Sequence, residues 1–273
     1  RGQALVDKGS FMVDETEHQG TPDQVHIRAR SASLNQALRI RTDKSWHATT
    51  LGNVASTIAK RHSLTLSIDA DLAATTVAHV DQTGESDINF LTRLANQYDT
   101  VATVKAGTLI IKRIDSTRLA AVTITRASGD QHRWHTSDRD AYSGVTAYWY
   151  DTRTAKRHQV TAGSKNNLKQ VAPASGGTVA KADYHGVKTL KDTYATERDA
   201  LNAAKAEWAR IQRGMATLEI TLALGMPDLR PQTPVTVTGF KPQIDSTGWL
   251  VVKSTHNLGD NGFTTRVEMA LGV

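Results

Sequence analysis

Met215-Ala-Thr-Leu-Glu-Ile-Thr-Leu-Ala-Leu-Gly-Met-Pro-Asp-Leu-Arg-Pro-Gln-Thr-Pro-Val-Thr-Val-Thr-Gly-Phe240, continued by Ile244-Asp-Ser-Thr-Gly-Trp-Leu-Val-Val-Lys-Ser-Thr-His256, is the stretch that decides the fold. Leu218, Ile220, Leu222 and Leu224 alternate with Glu219, Thr221 and Ala223, and Val235 and Val237 alternate with Thr236 and Thr238. A period of two describes strands with one buried face. The continuous run Trp249–Val252 fits a strand covered on both faces. Gly and Pro mark the turns at Gly225–Asp228, Asp245–Gly248 and Gly259–Gly262. The C-terminus therefore reads as a small antiparallel β unit.

Upstream of it, residues 192–213 carry the strongest helical pattern. Leu201, Ala204, Trp208 and Ile211 form a buried stripe, Asp192 or Thr193 caps the start and Gly214 ends the helix. Residues 119–161 return to strand. Leu119–Arg126 is one strand, and Gly144–Asp151 and Ala155–Thr161 form a hairpin across Asp151–Thr154. Residues 162–184 hold Gly163, Pro173, Gly176 and Gly177 with little periodicity and read as a mobile basic loop.

The segment 46–114 has a different character. Leu51, Val54, Ala55 and Ile58 share one helical face, a strand Leu64–Ile68 follows, and a second helix runs from Ser86 to Tyr98 with Ser86 or Asp87 as its cap. A hairpin, Thr100–Arg113, turns at Ala106-Gly107. Both helices end alike, at Ile58–His62 and Leu94–Tyr98, 36 residues apart, which reads as a weak internal duplication. Residues 1–41 read as strands, with Gly9–His18 and Gln24–Arg30 around a turn at Gly20–Asp23. A two-stranded ribbon is marginal in water, so these strands need partners.

The chain of 273 residues is 39% hydrophobic and 22% charged, which describes a folded protein. Its apolar runs all fall short of the roughly 18 residues of a membrane span, and Arg1–Lys8 lacks the apolar core of a signal peptide. No stable membrane association is expected. Without cysteine there are no disulfides, thiolate metal sites or cysteine nucleophiles. The net charge is +6, with a pI of about 9.5. It is concentrated in residues 152–191, where Arg153, Lys156, Arg157, Lys165, Lys169, Lys181, Lys188 and Lys191 face one acid, Asp183.

Several ordered stretches together resemble the late-control D proteins of contractile-tailed phages, baseplate hubs related in architecture to the N-terminal part of VgrG spike proteins. They are Asp87–Ala95 leading into Gly107–Ile111, the helix Glu197–Trp208 ending at Arg213-Gly214, and the terminal strands with Trp249 and His256. The resemblance spans roughly residues 5–273. It implies an α+β, mainly β chain of tube-like antiparallel β-barrel domains with an inserted α/β module and one long helix before the C-terminal barrel. The corresponding division is 1–45, the end of a first tube-like domain; 46–115, the inserted module; 116–191, a β-rich region with the basic loop; and 192–273, helix plus terminal tube-like domain. It further implies a homotrimer in the virion baseplate, assembled in the bacterial cytoplasm. That trimer would join a sixfold tail tube to a threefold tail spike around a channel for the tape measure protein, with DNA only in passage. Other baseplate proteins would flank it.

No cofactor, metal or catalytic set is expected. His132 and His135 could serve a metal only on a helix, and their flanks read as strand and turn. Asp138, Asp140 and Asp151 read as turn formers, and no G-x-S-x-G, H-E-x-x-H or P-loop occurs. Tyr148 and Tyr150 share one strand face and Trp149 takes the other. The expected docking residues are Arg153, Lys156, Arg157, Lys165 and Lys169, reaching an acidic neighbour. The rival from another class is a glycan-binding cell-wall module or hydrolase of a tail, because the duplicated helix–strand units loosely resemble LysM repeats. A nucleic-acid-binding regulator is disfavoured, since only one segment is basic.

Overall fold

The computed structural model describes residues 5–31, 36–115, 119–137, 142–163, 186–260 and 262–272. Strand predominates, and the chain divides into two units, Arg1–Arg113 and Ile114–Val273, each with its own core.

The first unit opens with an antiparallel ribbon of β1 (Phe11–Gln19) and β2 (Gln24–Ser31). A register shift between Val13 and Glu15 lets the ribbon keep two distinct faces. Phe11, Val13, Val25 and Ile27 lie on one, and Glu15, Glu17, Arg28 and Arg30 on the other, where Arg28 pairs with Glu15 at 2.7 Å. All four apolar side chains are more than half exposed. The strand reading of residues 1–41 fails at Gln36–Arg39, a 3₁₀ turn that carries the fully buried Leu38 into the core.

Next come β3 (Arg41–Thr50), α1 (Leu51–Arg61), β4 (Thr65–Ile68), the single turn α2 (Ala70–Ala73), β5 (Thr76–Ser86), α3 (Asp87–Gln97), β6 (Thr100–Lys105) and β7 (Thr108–Arg113). β3 pairs with β5, and β4 and β6 flank β7. The 36-residue period is physical. Thr50 caps α1 by accepting from Asn53 N, and Ser86 caps α3 by accepting from Asn89 N. His62 and Tyr98 close the two helices, both buried, and Ser63 and Asp99 follow with positive φ of 56° and 53°. Each copy therefore turns from helix to strand through one left-handed residue.

Asp87, the first residue of α3, is only 1% exposed. Its carboxylate accepts from Arg61 Nη1 at 3.0 and 3.1 Å, His62 Nε2 at 2.7 Å and Gln82 Nε2 at 2.8 Å. One acid thus ties the end of α1 and strand β5 to the start of α3. Burial opposes its ionisation, but the bonds from Gln82 and His62 and the charge of Arg61 outweigh burial and hold the carboxyl below its ordinary range.

The second unit contains β8 (Val122–Thr125), a 3₁₀ turn (Arg126–Ser128), β9 (Gly129–Thr136), β10 (Gly144–Asp151), β11 (Lys156–Gly163), β12 (Val187–Tyr194), α4 (Glu197–Gly214), β13 (Ala216–Leu222), β14 (Pro234–Thr238), the turn α5 (Pro242–Asp245), β15 (Trp249–Gly259) and β16 (Gly262–Leu271). A six-stranded sheet runs β8-β14-β15-β16-β13-β9. Its two outermost strands are consecutive in the chain and joined by three residues, so the sheet curls until its ends meet at that corner. Leu218, Ile220, Leu222, Val235, Val237, Trp249, Val251, Val267 and Met269 fill its inner face. The Trp249 indole donates to Ile244 O at 3.1 Å.

Two details of the alternation differ from expectation. Leu224 is 84% exposed because β13 ends at Leu222. There the chain turns and Gly225 N donates to Phe263 O at 2.8 Å, with no room for a side chain, since a Cβ on Gly225 would stand 2.2 Å from the Phe263 ring. Val252 is exposed because the β15–β16 register shifts between Val251 and Lys253, so only Trp249, Leu250 and Val251 are covered.

β11-β10-β12 form a separate three-stranded sheet beneath α4. The expected caps Asp192 and Thr193 lie inside β12, where Thr193 pairs with Tyr148. Thr196 caps α4 instead, its Oγ1 accepting from Asp199 N at 3.1 Å. Ala200 and Ala204 are fully buried in one cluster with Val145, Ala147 and Ala162, while Trp208 and Ile211 are partly buried against it and Leu201 is half-buried.

Candidate interaction surface

The β10–β11 hairpin gathers three of the five expected docking residues. Alternation sends Val145 and Ala147 into the core under α4, with Trp149 packed beside them, which turns Tyr148 and Tyr150 to the opposite face. The tip is built by Asp151, whose carboxylate accepts from Arg153 N and Thr154 Oγ1, both at 2.9 Å. The bond from Arg153 N, then that from Thr154, hold the Asp151 carboxyl below its ordinary range. Asp151 is thus a turn former, and Ala155 completes the turn at φ 52°.

Arg153, Lys156 and Arg157 are all exposed on this tip. The Arg157 guanidinium lies 3.7 Å from the centre of the Tyr148 ring, a cation–π contact that holds the charge in place on an aromatic platform. On the other face His158 stacks on Trp149 at 4.8 Å. Lys165 and Lys169 lie outside the described residues. Lys188 bonds Glu207 at 2.7 Å, so part of the segment's charge is neutralised by an acid from α4 that a count within residues 152–191 leaves out. His158 and the Arg157–Tyr148 pairing were missed at the sequence level. Arg157 reaches Tyr148 along the i to j−2 diagonal and His158 is directly opposite Trp149, both readable only once the register is known.

His132 and His135 lie on β9, opposite Ile220 and Thr217. Three apart on a strand, they point to opposite faces and do not converge. His132 meets the edge of Phe240 at 5.0 Å. Asp138 and Asp140 are outside the described residues. In the first unit an open groove of about 900 Å³ is lined by Arg39, Arg41, Glu85, Asn89 and Arg93 among others, with Glu85 already bonded to Arg93 at 2.9 Å. Among the described residues no three His, Cys, Asp or Glu side chains converge as a metal site, and no helix is long and apolar enough to cross a membrane.

Residues 6–262 match the family model described as phage tail baseplate hub (GPD). The chain is 43% identical to the probable baseplate hub protein of Escherichia phage 186 and 39% identical to that of Escherichia phage P2, in each case over 98% of this chain and 76% of the relative. Among solved structures, the tail protein from Neisseria meningitidis MC58 superposes with a TM-score of 0.71 at 15% identity, over 96% of this chain and 79% of that one.

Proposed function

Because the chain belongs to the phage tail baseplate hub family, we propose that it works as a structural, non-enzymatic adaptor of a contractile tail, assembling as a homotrimer that joins the tail tube to the tail spike. It is a component of the virion tail. The observation that carries the adaptor reading is the curled six-stranded sheet, whose outermost strands β8 and β9 are joined by a three-residue turn. Such a wall presents few open edges, and three subunits with two tube-like domains each would supply six tube elements above a threefold spike. On this reading residues 46–115 are the inserted module, 192–273 the helix and most of the terminal tube-like domain, and the channel admits the tape measure protein and later DNA. The tip bearing Arg153, Lys156 and Arg157, with Lys165 and Lys169, docks on an acidic neighbour in the baseplate.

The test is the native mass of the full-length protein, alone and mixed with the spike of the same phage. A trimer that gains one spike trimer is the expected result. A stable monomer that ignores the spike would remove the central claim and turn attention to glycan binding.

A further inference from the structure

The outward face of the β3–β5 pair carries four side chains joined in one row. The register sets Ser45 opposite Asp81 and His47 opposite His79, while Trp46 and Gln82 are buried on the core side. Ser45 Oγ donates to Asp81 Oδ1 at 2.6 Å, and Asp81 Oδ2 lies 3.0 Å from His79 Nε2. An ionised carboxylate only accepts hydrogen bonds. With Asp81 accepting, His79 donates from Nε2, which turns the Nδ1 lone pair toward its other neighbour.

That lone pair faces His47 Nδ1 at 2.9 Å, and the two rings lie stacked with centroids 4.5 Å apart. Two imidazole nitrogens thus converge on one point and share one proton, donated by His47. A divalent transition-metal ion can take the place of that proton. With zinc–nitrogen distances of about 2.0–2.1 Å, two nitrogens at a right angle stand about 2.9 Å apart and at the tetrahedral angle about 3.3 Å apart. The observed spacing matches the first and is a few tenths of an ångström from the second. The bond from His79 to Asp81 is the outer contact by which metal sites fix the tautomer of a ligating imidazole and raise its basicity.

We propose that His47 Nδ1 and His79 Nδ1 chelate a divalent transition-metal ion such as zinc, with Asp81 as the supporting carboxylate and water in the remaining positions. The side chains of His79 and Asp81 are 44% and 48% exposed, so an ion reaches the site from solvent and keeps part of its water. Two protein ligands set the affinity in the micromolar range. Binding requires the His47 proton to pass from Nδ1 to Nε2 through solvent, so that each ring offers the ion an Nδ1 lone pair. The inference is independent of the hub reading, because it rests on one face of the first unit.

Isothermal titration of zinc chloride into the 273-residue chain at neutral pH tests it. One ion per chain with a micromolar Kd is expected. His47→Ala and His79→Ala should each weaken binding at least about tenfold, and Asp81→Asn, which keeps both ligands, by about 10–100-fold. A double His132→Ala/His135→Ala variant should bind like the parent. Circular dichroism confirms that each variant is folded, as these side chains are on the surface. No binding below millimolar zinc, or binding that survives loss of both His47 and His79, overturns the site. An Asp81→Asn variant that binds like the parent overturns the role given to the carboxylate.

Discussion

Replacing Asp87 with Asn keeps the shape of the side chain and removes the charge on which the first unit converges. Arg61 and His62 would then face an amide that can satisfy one donor but not the set, with an NH₂ group directed at one of them. Removing one partner of a buried ion pair costs about 3–5 kcal/mol. The Arg61 side chain is 35% exposed and can recover some hydration, so the lower end, about 3 kcal/mol, applies. With a urea slope of about 2 kcal/mol/M, that is a midpoint lowered by about 1.5 M. Trp46 is the one tryptophan in residues 1–113, and its ring lies parallel to that of Phe90 on α3 with centroids 6.3 Å apart. Its fluorescence therefore reports the packing that Asp87 anchors, provided the other four tryptophans are replaced by Phe in both proteins. The pH dependence provides an independent check. The unfolded carboxyl takes its proton near pH 3.9 or so, and the folded one at a lower value. The stabilisation is thus fully present well above the unfolded value and disappears as pH falls through the folded one. Asp87→Asn has nothing to titrate there, so the gap between the two proteins should close in acid. A loss below about 0.5 kcal/mol at pH 7, within the range of an ordinary surface change, or a gap that stays constant down to acid pH, would refute the reasoning.

Trp249→Ala should cost about 3–5 kcal/mol in thermal or urea unfolding, because the ring is 1% exposed among the inner residues of the six-stranded sheet and its N–H serves Ile244 O; a loss under about 1 kcal/mol would mean that the sheet does not enclose it. Reversing Arg153, Lys156 and Arg157 to Glu should change stability by about 1 kcal/mol or less, the scale of one exposed cation–π contact. The same variant should fail to pull down an acidic baseplate component that the wild-type chain captures, and the wild-type capture should weaken with added salt as screening shortens below about 10 Å. Undiminished capture by the reversed hairpin would remove the docking role.

Elements whose logic is local were legible. The stripe of α1, the Ala106-Gly107 turn, the Asp151 turn and the alternation of β13 and β14 all follow from residues within a dozen positions of one another, and the 36-residue echo of Ile58–His62 in Leu94–Tyr98 is legible without the caps and left-handed residues that frame it. What escaped depends on distant partners. β12 became a strand by pairing in parallel with β10, some 40 residues earlier, and that pairing moved the cap of α4 from Asp192 or Thr193 to Thr196. The exposure of Val252 hangs on a register shift against β16. Asp87, read as a possible cap, is buried because Arg61, His62 and Gln82 arrive from two other elements to compensate it.

For function the division is similar. By itself the sequence determined the mainly β class, the family resemblance and the basic segment, because alternation, turn residues and charge are properties of neighbours along the chain. Only the tertiary structure decided that His132 and His135 diverge while His47 and His79 meet, that Arg157 rests on Tyr148, and that Lys188 is answered by Glu207. Each of those outcomes depends on strand register or on a helix packed across a sheet, and a shift of one residue would send every side chain involved to the opposite face.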